Sequence, residues 1–361
     1  MELLGKTKEE LRELCVTLGE PAYRGEQIYG ALYAERKFDL EQVTNLPAAL
    51  KKQLADCASI TLPQVKKRFR SADGSIRYLF ELGQSGDKQT ARAACVEAVF
   101  MPSDGRQTIC VSTQAGCAVN CQFCLTAQLG LIRNLTPGEI LAQVLVALEE
   151  NKDALVPQTN IVFMGQGEPL LNYEAVLTAC RILQDSAGIG IPAKRVTIST
   201  SGIVPGIERL AAESERPKLA ISLNASHNEQ RDALMPINRK YPLEVLLEAC
   251  RKYPLRSWEY LMFEYVMLGG VNDSLEDAKR VAKLVGPLKA KVNLIPWNPG
   301  ELPYRESTEE VIAEFQKFLI DLRIATFVRR SRGRDVMAAC GQLALLDSGS
   351  PGQADAQLVT L

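Results

Sequence analysis

Three cysteines constrain this chain more than any other feature. The run Gly116-Cys117-Ala118-Val119-Asn120-Cys121-Gln122-Phe123-Cys124 spaces them C-x₃-C-x₂-C. Thiolates this close can bind three irons of a 4Fe–4S cluster. A cluster that only carries electrons takes four cysteines, and structural zinc takes four ligands. Three leave one iron free to chelate a small molecule through an amine and a carboxylate. Spacing alone also allows a zinc knuckle that borrows a fourth ligand, or three ordinary core thiols. Among the 361 residues are ten cysteines and one histidine, His227. A multi-histidine metal site within the chain is therefore excluded, and chemistry rests on cysteine, carboxylate and a cofactor.

The chain is 46% hydrophobic and 24% charged, as expected for a globular protein with a sizeable core. No apolar run reaches the roughly 18 residues of a membrane span. The start, Met1-Glu2-Leu3-Leu4-Gly5-Lys6, lacks a signal-peptide pattern. A cytoplasmic location without a membrane partner is expected, and there ten cysteines read as thiols or ligands rather than structural disulfides. A net charge of −1 argues against a protein coated in basic residues but permits a local basic patch.

The pattern predicts an α/β chain. Residues 1–61 read as a helical accessory domain: Thr7-Lys8-Glu9-Glu10 is a capping box, and helical periodicity covers 25–33 and 46–55. Residues 62–107 read as a short β extension, punctuated by Asp73-Gly74, Ser85-Gly86 and Asp104-Gly105. From 108 to 346, strands (108–112, 160–164, 195–199, 219–223, 263–267, 291–295) alternate with helices, including those started by Thr136-Pro137-Gly138-Glu139 and by Ser307 with Glu310. About six βα units predict a TIM-like barrel, or part of one, with its site at the C-terminal ends of the strands. Residues 347–361, rich in Ser, Gly, Pro and Gln, read as a disordered tail.

Gly165-Gln166-Gly167-Glu168-Pro169 follows the second barrel strand. Glycine allows close backbone approach, and Glu168 can accept from an ammonium group. The run lacks the lysine of a phosphate loop and reads equally as a tight turn. Ser199, Ser222 and Asn298 fall at later strand ends. Cys110, in the apolar run Ile109-Cys110-Val111, reads as either a core thiol or a functional one. Cys340 follows the basic run Arg329-Arg330-Ser331-Arg332-Gly333-Arg334, which predicts an accessible loop where cations favour the thiolate.

Taken together, these segments resemble the RlmN and Cfr family of radical S-adenosylmethionine (SAM) RNA adenine methyltransferases over almost the full length. The resemblance is carried by Glu97-Ala98-Val99-Phe100, Cys110-Val111-Ser112, the Cys117–Cys124 loop with Thr126-Ala127-Gln128, and the run from Phe163 to Asn172. It continues through Ser199-Thr200-Ser201-Gly202, Ile221-Ser222-Leu223, the run from Asn293 to Asn298, and Arg332-Gly333-Arg334-Asp335 before Cys340-Gly341-Gln342-Leu343. It implies a partial (βα)6 radical SAM barrel with a helix-hairpin-helix-like RNA-binding N-terminal domain, a 4Fe–4S cluster on Cys117, Cys121 and Cys124, and SAM contacts from Gly167, Glu168, Ser199, Ser222, Leu223, Asn224 and Asn298.

It further implies two SAM per turnover. One methylates Cys340; the other yields a radical that activates that methyl group. The methylene radical adds to the adenine ring, Glu97 accepts the ring proton, and Cys110 releases the product, leaving a Cys110–Cys340 disulfide. The implied partners are 23S rRNA, tRNA in some relatives, and a low-potential reductant such as a flavodoxin, and the enzyme is expected to be a monomer. Thr126-Ala127-Gln128 and Glu168-Pro169-Leu170-Leu171-Asn172 favour the RlmN type, which methylates C2, over the Cfr type, which methylates C8. Asn224 stands where many relatives have histidine, and residues 91–95 are less typical. Another radical SAM activity, or a non-catalytic metal-binding RNA module, are the rival readings. Lys66, Lys67, Arg68, Arg70 and the Arg329–Arg334 cluster are the candidate phosphate contacts, each run reading equally as a solvated face.

Overall fold

The computed structural model describes residues 1–83 and 94–343. The expected tail at 347–361 and the Ser85-Gly86 turn lie outside these residues, as does most of 91–95. Helices α1 (Lys8–Thr17), α2 (Tyr23–Tyr33) and α3 (Ala48–Cys57) form the N-terminal module. The capping box is present: the Thr7 hydroxyl accepts from Glu10 N, and the Glu10 carboxylate accepts from Thr7 N. Lys8–Asp185 and Arg36–Glu149 ion pairs join the module to the main body.

Strands β1 (Gln64–Arg70), β2 (Ile76–Leu82) and β3 (Ala94–Ser103) form an antiparallel meander, and β3 pairs antiparallel with β4 (Arg106–Cys110). A separate hairpin, β5 (Gln114–Gly116) with β6 (Leu131–Asn134), carries the cysteine loop between its arms. There follow α4 (Pro137–Glu150), β7 (Thr159–Phe163), α5 (Tyr173–Gln184), β8 (Val196–Thr200), α6 (Val204–Ala212) and β9 (Lys218–Ser222). Next come α7 (Asn228–Leu234), α8 (Leu243–Lys252), β10 (Leu261–Met267), α9 (Leu275–Val285), β11 (Ala290–Pro296), α10 (Glu309–Asp321) and β12 (Thr326–Val328). One sheet runs β1-β2-β3-β4-β7-β8-β9-β10-β11-β12, parallel from β4 onward. Six βα units thus build the expected partial barrel. The β extension continues the same sheet without a break, and residue 107 lies inside β4.

Strand alternation sorts the side chains. Ile109, Ile161, Phe163, Ile198, Ile221, Phe263, Val292 and Leu294 belong to the main apolar core, which suits positions under covering helices. The alternate set includes Thr108, Asn160, Thr197, Ser199, Ser222 and Asn293. A barrel interior is ordinarily filled with branched apolar side chains. These smaller, polar ones leave it hollow.

Two expected boundaries move. The first barrel strand ends at Cys110 rather than 112, because Ser112 leaves the ladder: its N–H donates to Gln143 Oε1 (2.9 Å) and its hydroxyl to Glu97 O (2.6 Å). Thr308, not Ser307, caps α10, since the Ser307 hydroxyl is bonded to buried Asp273 (2.7 Å). The segment after β12 folds back onto the meander. Arg332 and Gly333 bond Asp73, and Arg77 Nε donates to Val336 O (2.7 Å). This carries Cys340 into the barrel.

Candidate active site

The cysteine loop is built by one close backbone approach. Gly116 has φ +72°, and a Cβ there would lie 1.8 Å from Gly130 O. Only glycine permits this, and it lets Cys117 N donate to Gly130 O (2.9 Å), closing the hairpin under the loop. Gly167, with φ +97°, packs against Gln114 in the same way. Cys117, Cys121 and Cys124 line one cavity of about 170 Å³ with Gly167, Glu168, Ser199, Ser222, Asn224, Asn298 and Cys340. Every proposed ligand and cofactor contact except Leu223 therefore faces one space. Leu223 is fully buried in the apolar core, and only its backbone is engaged, donating to Glu264 O (2.9 Å).

The donor set fits an iron–sulfur cluster. Burial pushes the Cys117 thiol up to about 12 and raises those of Cys121 and Cys124 as well, with Arg231 opposing this at Cys121. A polycationic iron core would offset this cost of burial and draw all three to thiolate. Among the described residues no three His, Cys, Asp or Glu groups close on a single ion. A cubane spreads its three thiolates over three irons, so such convergence is not needed. Glu168 is 3% exposed. Burial raises its pKa, opposed by hydrogen bonds from Ser201 and Leu170.

Asn224 has an evident local reason. Its φ of +55° is left-handed, a region asparagine tolerates far better than most residues. Its Oδ1 accepts from Val266 N (2.9 Å) and its Nδ2 faces Met235 Sδ (3.4 Å).

A second cavity, of about 580 Å³, occupies the barrel interior below the first. Met164, Glu264, Ile295, Arg329 and Cys340 line both. Cys110 is 7% exposed and lines only the lower cavity, with Val99, Val162 and Val336 packed around it. Burial, with Cys340 adding to it, pushes the Cys110 thiol up to about 12; Arg329 works the other way. Cys340 is half-buried rather than on an open loop. Its carbonyl accepts from Asn298 Nδ2 (3.1 Å), Gly341 O accepts from Leu125 N (2.8 Å), and Leu343 O accepts from Thr126 Oγ1 (2.6 Å). The tail of the cysteine loop thereby positions the second cysteine region. All ten cysteines are free thiols, so the implied disulfide is open.

Most of the expected phosphate contacts are committed elsewhere. Lys66 pairs with Glu81, Arg68 with Glu150, Arg330 with Glu309 and Arg334 with Glu306. Arg329 turns inward, where Cys340, Glu264 and Cys110 outweigh the burial that disfavours its charge. Glu264 was not anticipated. It is 5% exposed, its Oε1 accepts from Asn293 (3.0 Å), and its Oε2 has no partner. The available signal was a carboxylate inside the apolar run Leu261–Met267.

Glu97 is fully buried, ion-paired with Arg77, and near Gln166 Nε2 (3.5 Å). Removing one member of a buried pair strands the other's charge, at a cost of about 3–5 kcal/mol. Arg77→Met is expected to lose about that much stability, read as a lowered midpoint in denaturant unfolding.

Comparison with known proteins agrees with this geometry. Residues 111–285 match the radical SAM superfamily, and residues 1–60 match the ribosomal RNA large subunit methyltransferase N-terminal domain. The chain is 49% identical to the probable dual-specificity RNA methyltransferase RlmN of Koribacter versatilis, across 90% of this chain and 96% of that one. It is 47% identical to the dual-specificity RNA methyltransferase RlmN of Anaeromyxobacter sp., across 95% and 90%. A crystal structure of a radical SAM methyltransferase from Sphaerobacter thermophilus superposes with a TM-score of 0.88 at 42% identity, covering 95% of this chain and 99% of that one. With both segments matched and the alignments running nearly end to end, this chain belongs to the RlmN family of radical SAM RNA methyltransferases.

Proposed function

We propose that the chain methylates C2 of an adenosine in 23S rRNA, and of the adenosine beside the tRNA anticodon, with Cys340 as methyl carrier and Cys110 as resolving thiol. The observation that carries this reading is that Cys340 lines both cavities, while Cys110 lines only the lower one. A carrier must meet a donor on one side and an acceptor on the other.

An adenine C2 carbon is electrophilic and cannot take a methyl group by simple displacement. When bound on Cys117, Cys121 and Cys124, the cluster would supply the electron that turns SAM into a hydrogen-abstracting radical and would take one electron back once the carbon has joined the ring. Glu168, Ser199, Ser222, Asn224 and Asn298 would hold SAM against it, one SAM serving as methyl donor to Cys340 and a second as radical source. The Cys340 sulfur carries the methyl carbon into the lower cavity. There that carbon, having given one hydrogen atom to the SAM-derived radical, bonds to C2; the ring proton passes to Glu97, which lines neither cavity and must first turn from its ion pair with Arg77 toward the base. The Cys110 sulfur then attacks the Cys340 sulfur; the S–S bond forms as the S–C bond breaks, the departing CH2 carbon takes back a proton, the one held by Glu97, to become the methyl group, and the methylated base leaves. A low-potential reductant of the flavodoxin kind, or a thiol, reopens the disulfide.

The test is an anaerobic reaction of iron-loaded protein with methyl-labelled SAM, reductant and unmodified 23S rRNA or tRNA, followed by nucleoside mass spectrometry. 2-Methyladenosine is expected. 8-Methyladenosine would move the chain to the Cfr type, and SAM cleavage with neither product would overturn the substrate assignment.

A further inference from the structure

The lower cavity opens at the N-terminal ends of the strands, the face opposite the cysteine loop. Its rim is basic. Arg106 begins β4, Arg195 immediately precedes β8, and Lys218 begins β9, all lining this cavity. Lys291, second in β11, stands beside them. No carboxylate lies within ion-pair distance of these four among the described residues, in contrast to Arg330 and Arg332, which line the same cavity but pair with Glu309 and Asp73, and to Lys66 and Arg68, which pair with Glu81 and Glu150. Lys218 feels the cost: burial, Arg195 and Lys291 all lower its pKa, against a single opposing influence from Glu259. Like charges gathered on a partly buried rim without counter-ions form a field for an incoming anion.

Aromatic rings are interleaved with these cations. Tyr260 is 42% exposed and Phe327 51% exposed, far more than rings in a core. The Lys291 ammonium lies 4.5 Å from the Tyr260 ring centre and 6.0 Å from that of Phe327. Exposed rings among unpaired cations are how proteins hold single-stranded nucleic acid: bases stack on the rings and phosphates meet the charges. The rim also leads somewhere. The cavity it opens reaches Cys110 and Cys340, and its volume falls within the roughly 300–1,000 Å³ of pockets that enclose a small ligand.

We propose that this N-terminal mouth of the barrel is the docking surface for the RNA loop that carries the target adenosine. A nucleotide flanking the target stacks on Tyr260 and Phe327, while Arg106, Arg195, Lys218 and Lys291 hold the adjoining phosphates. The target base, taken out of its stack, passes up the barrel to the cysteine pair. The cluster loop and SAM contacts close the opposite end, so donor and RNA enter from opposite faces. This inference rests on the reading that an RNA base is the substrate, and it adds where that RNA binds.

The test uses the full chain and a fluorescent RNA hairpin with an unpaired adenosine in its loop, with binding read by anisotropy across a salt series. Tyr260→Ala is expected to weaken binding roughly tenfold, the order of one base–aromatic stack, while Tyr260→Phe retains it. Lys218→Ala and Lys291→Ala each lower the slope of log affinity against log salt by about 0.7, one phosphate contact on a single strand. Arg68→Ala, which removes a carboxylate-paired cation outside the mouth, binds as the unaltered chain does. On the unaltered chain the hairpin should also protect the Lys218 and Lys291 amines from acylation, a readout independent of whether any variant folds. Mouth variants that bind normally, or lysines that stay reactive under saturating hairpin, overturn the proposal. So does AMP or inorganic phosphate protecting both lysines as fully as the hairpin, which would assign the mouth to a small anion. Binding requires no methyl transfer. A chain that binds through this mouth yet forms no 2-methyladenosine supports the docking surface, and only the C2 reading fails.

Discussion

Cys110→Ala is expected to end the reaction after one event, with RNA covalently attached to the protein through Cys340. Cys110 and Cys340 line the same cavity, and Cys110 is otherwise enclosed by Val99, Val162 and Val336. Among the described residues no other cysteine lines that cavity, so none can replace the resolving thiol. Turnover should fall by orders of magnitude, while a slower-migrating, ribonuclease-sensitive protein band accumulates in denaturing gels. The replacement removes only a sulfur from a small apolar cluster, so the fold should persist. Cys340→Ala is the complementary case. It removes the proposed carrier, so neither methylated RNA nor crosslink should form, while iron content and the cluster's absorbance should remain, because Cys340 is not among the three proposed ligands. A Cys110→Ala protein that continues to turn over would sink the carrier reading.

Release of the RNA should accelerate steeply with pH. The attacking species is the thiolate, and burial pushes the Cys110 thiol up to about 12. Below that value each unit of pH raises the thiolate fraction about tenfold. With cysteine 340 alkylated, its own unfavourable contribution disappears, leaving burial set against Arg329. Single-turnover decay of the crosslink, followed between about pH 7 and 9, is expected to rise with a slope near one on logarithmic axes. Arg329→Met removes the cation that favours the thiolate and should slow decay at every pH in that range, shifting the profile toward higher pH. A flat profile would mean that resolution is limited by something other than thiol ionisation. The same variant leaves Glu264 without its nearby cation, so the carboxyl group, already raised by burial, should rise further.

Much of this was legible without coordinates, because it depends on local rules. C-x₃-C-x₂-C places three thiols in one loop whatever the fold. Thr7 with Glu10 and Thr136 with Glu139 start helices through bonds spanning three residues, and both capping boxes are present. Alternating strands and helices require a parallel sheet, and six βα units are there. Where local rules misled, a distant partner had intervened: Ser307 lost its cap role to Asp273, and Ser112 left its strand for Gln143 and Glu97. The basic runs looked alike in sequence. Only the fold pairs Arg68 with Glu150 and turns Arg329 inward, while leaving the scattered Arg106, Arg195, Lys218 and Lys291 together on one rim. The sequence by itself determined which chemistry the chain can carry, since ligand type and spacing are properties of a short segment. The tertiary structure alone decided where that chemistry is delivered. Cys110 and Cys340 are far apart along the chain, and they meet only because the segment after β12 folds back across the open side of a hollow barrel.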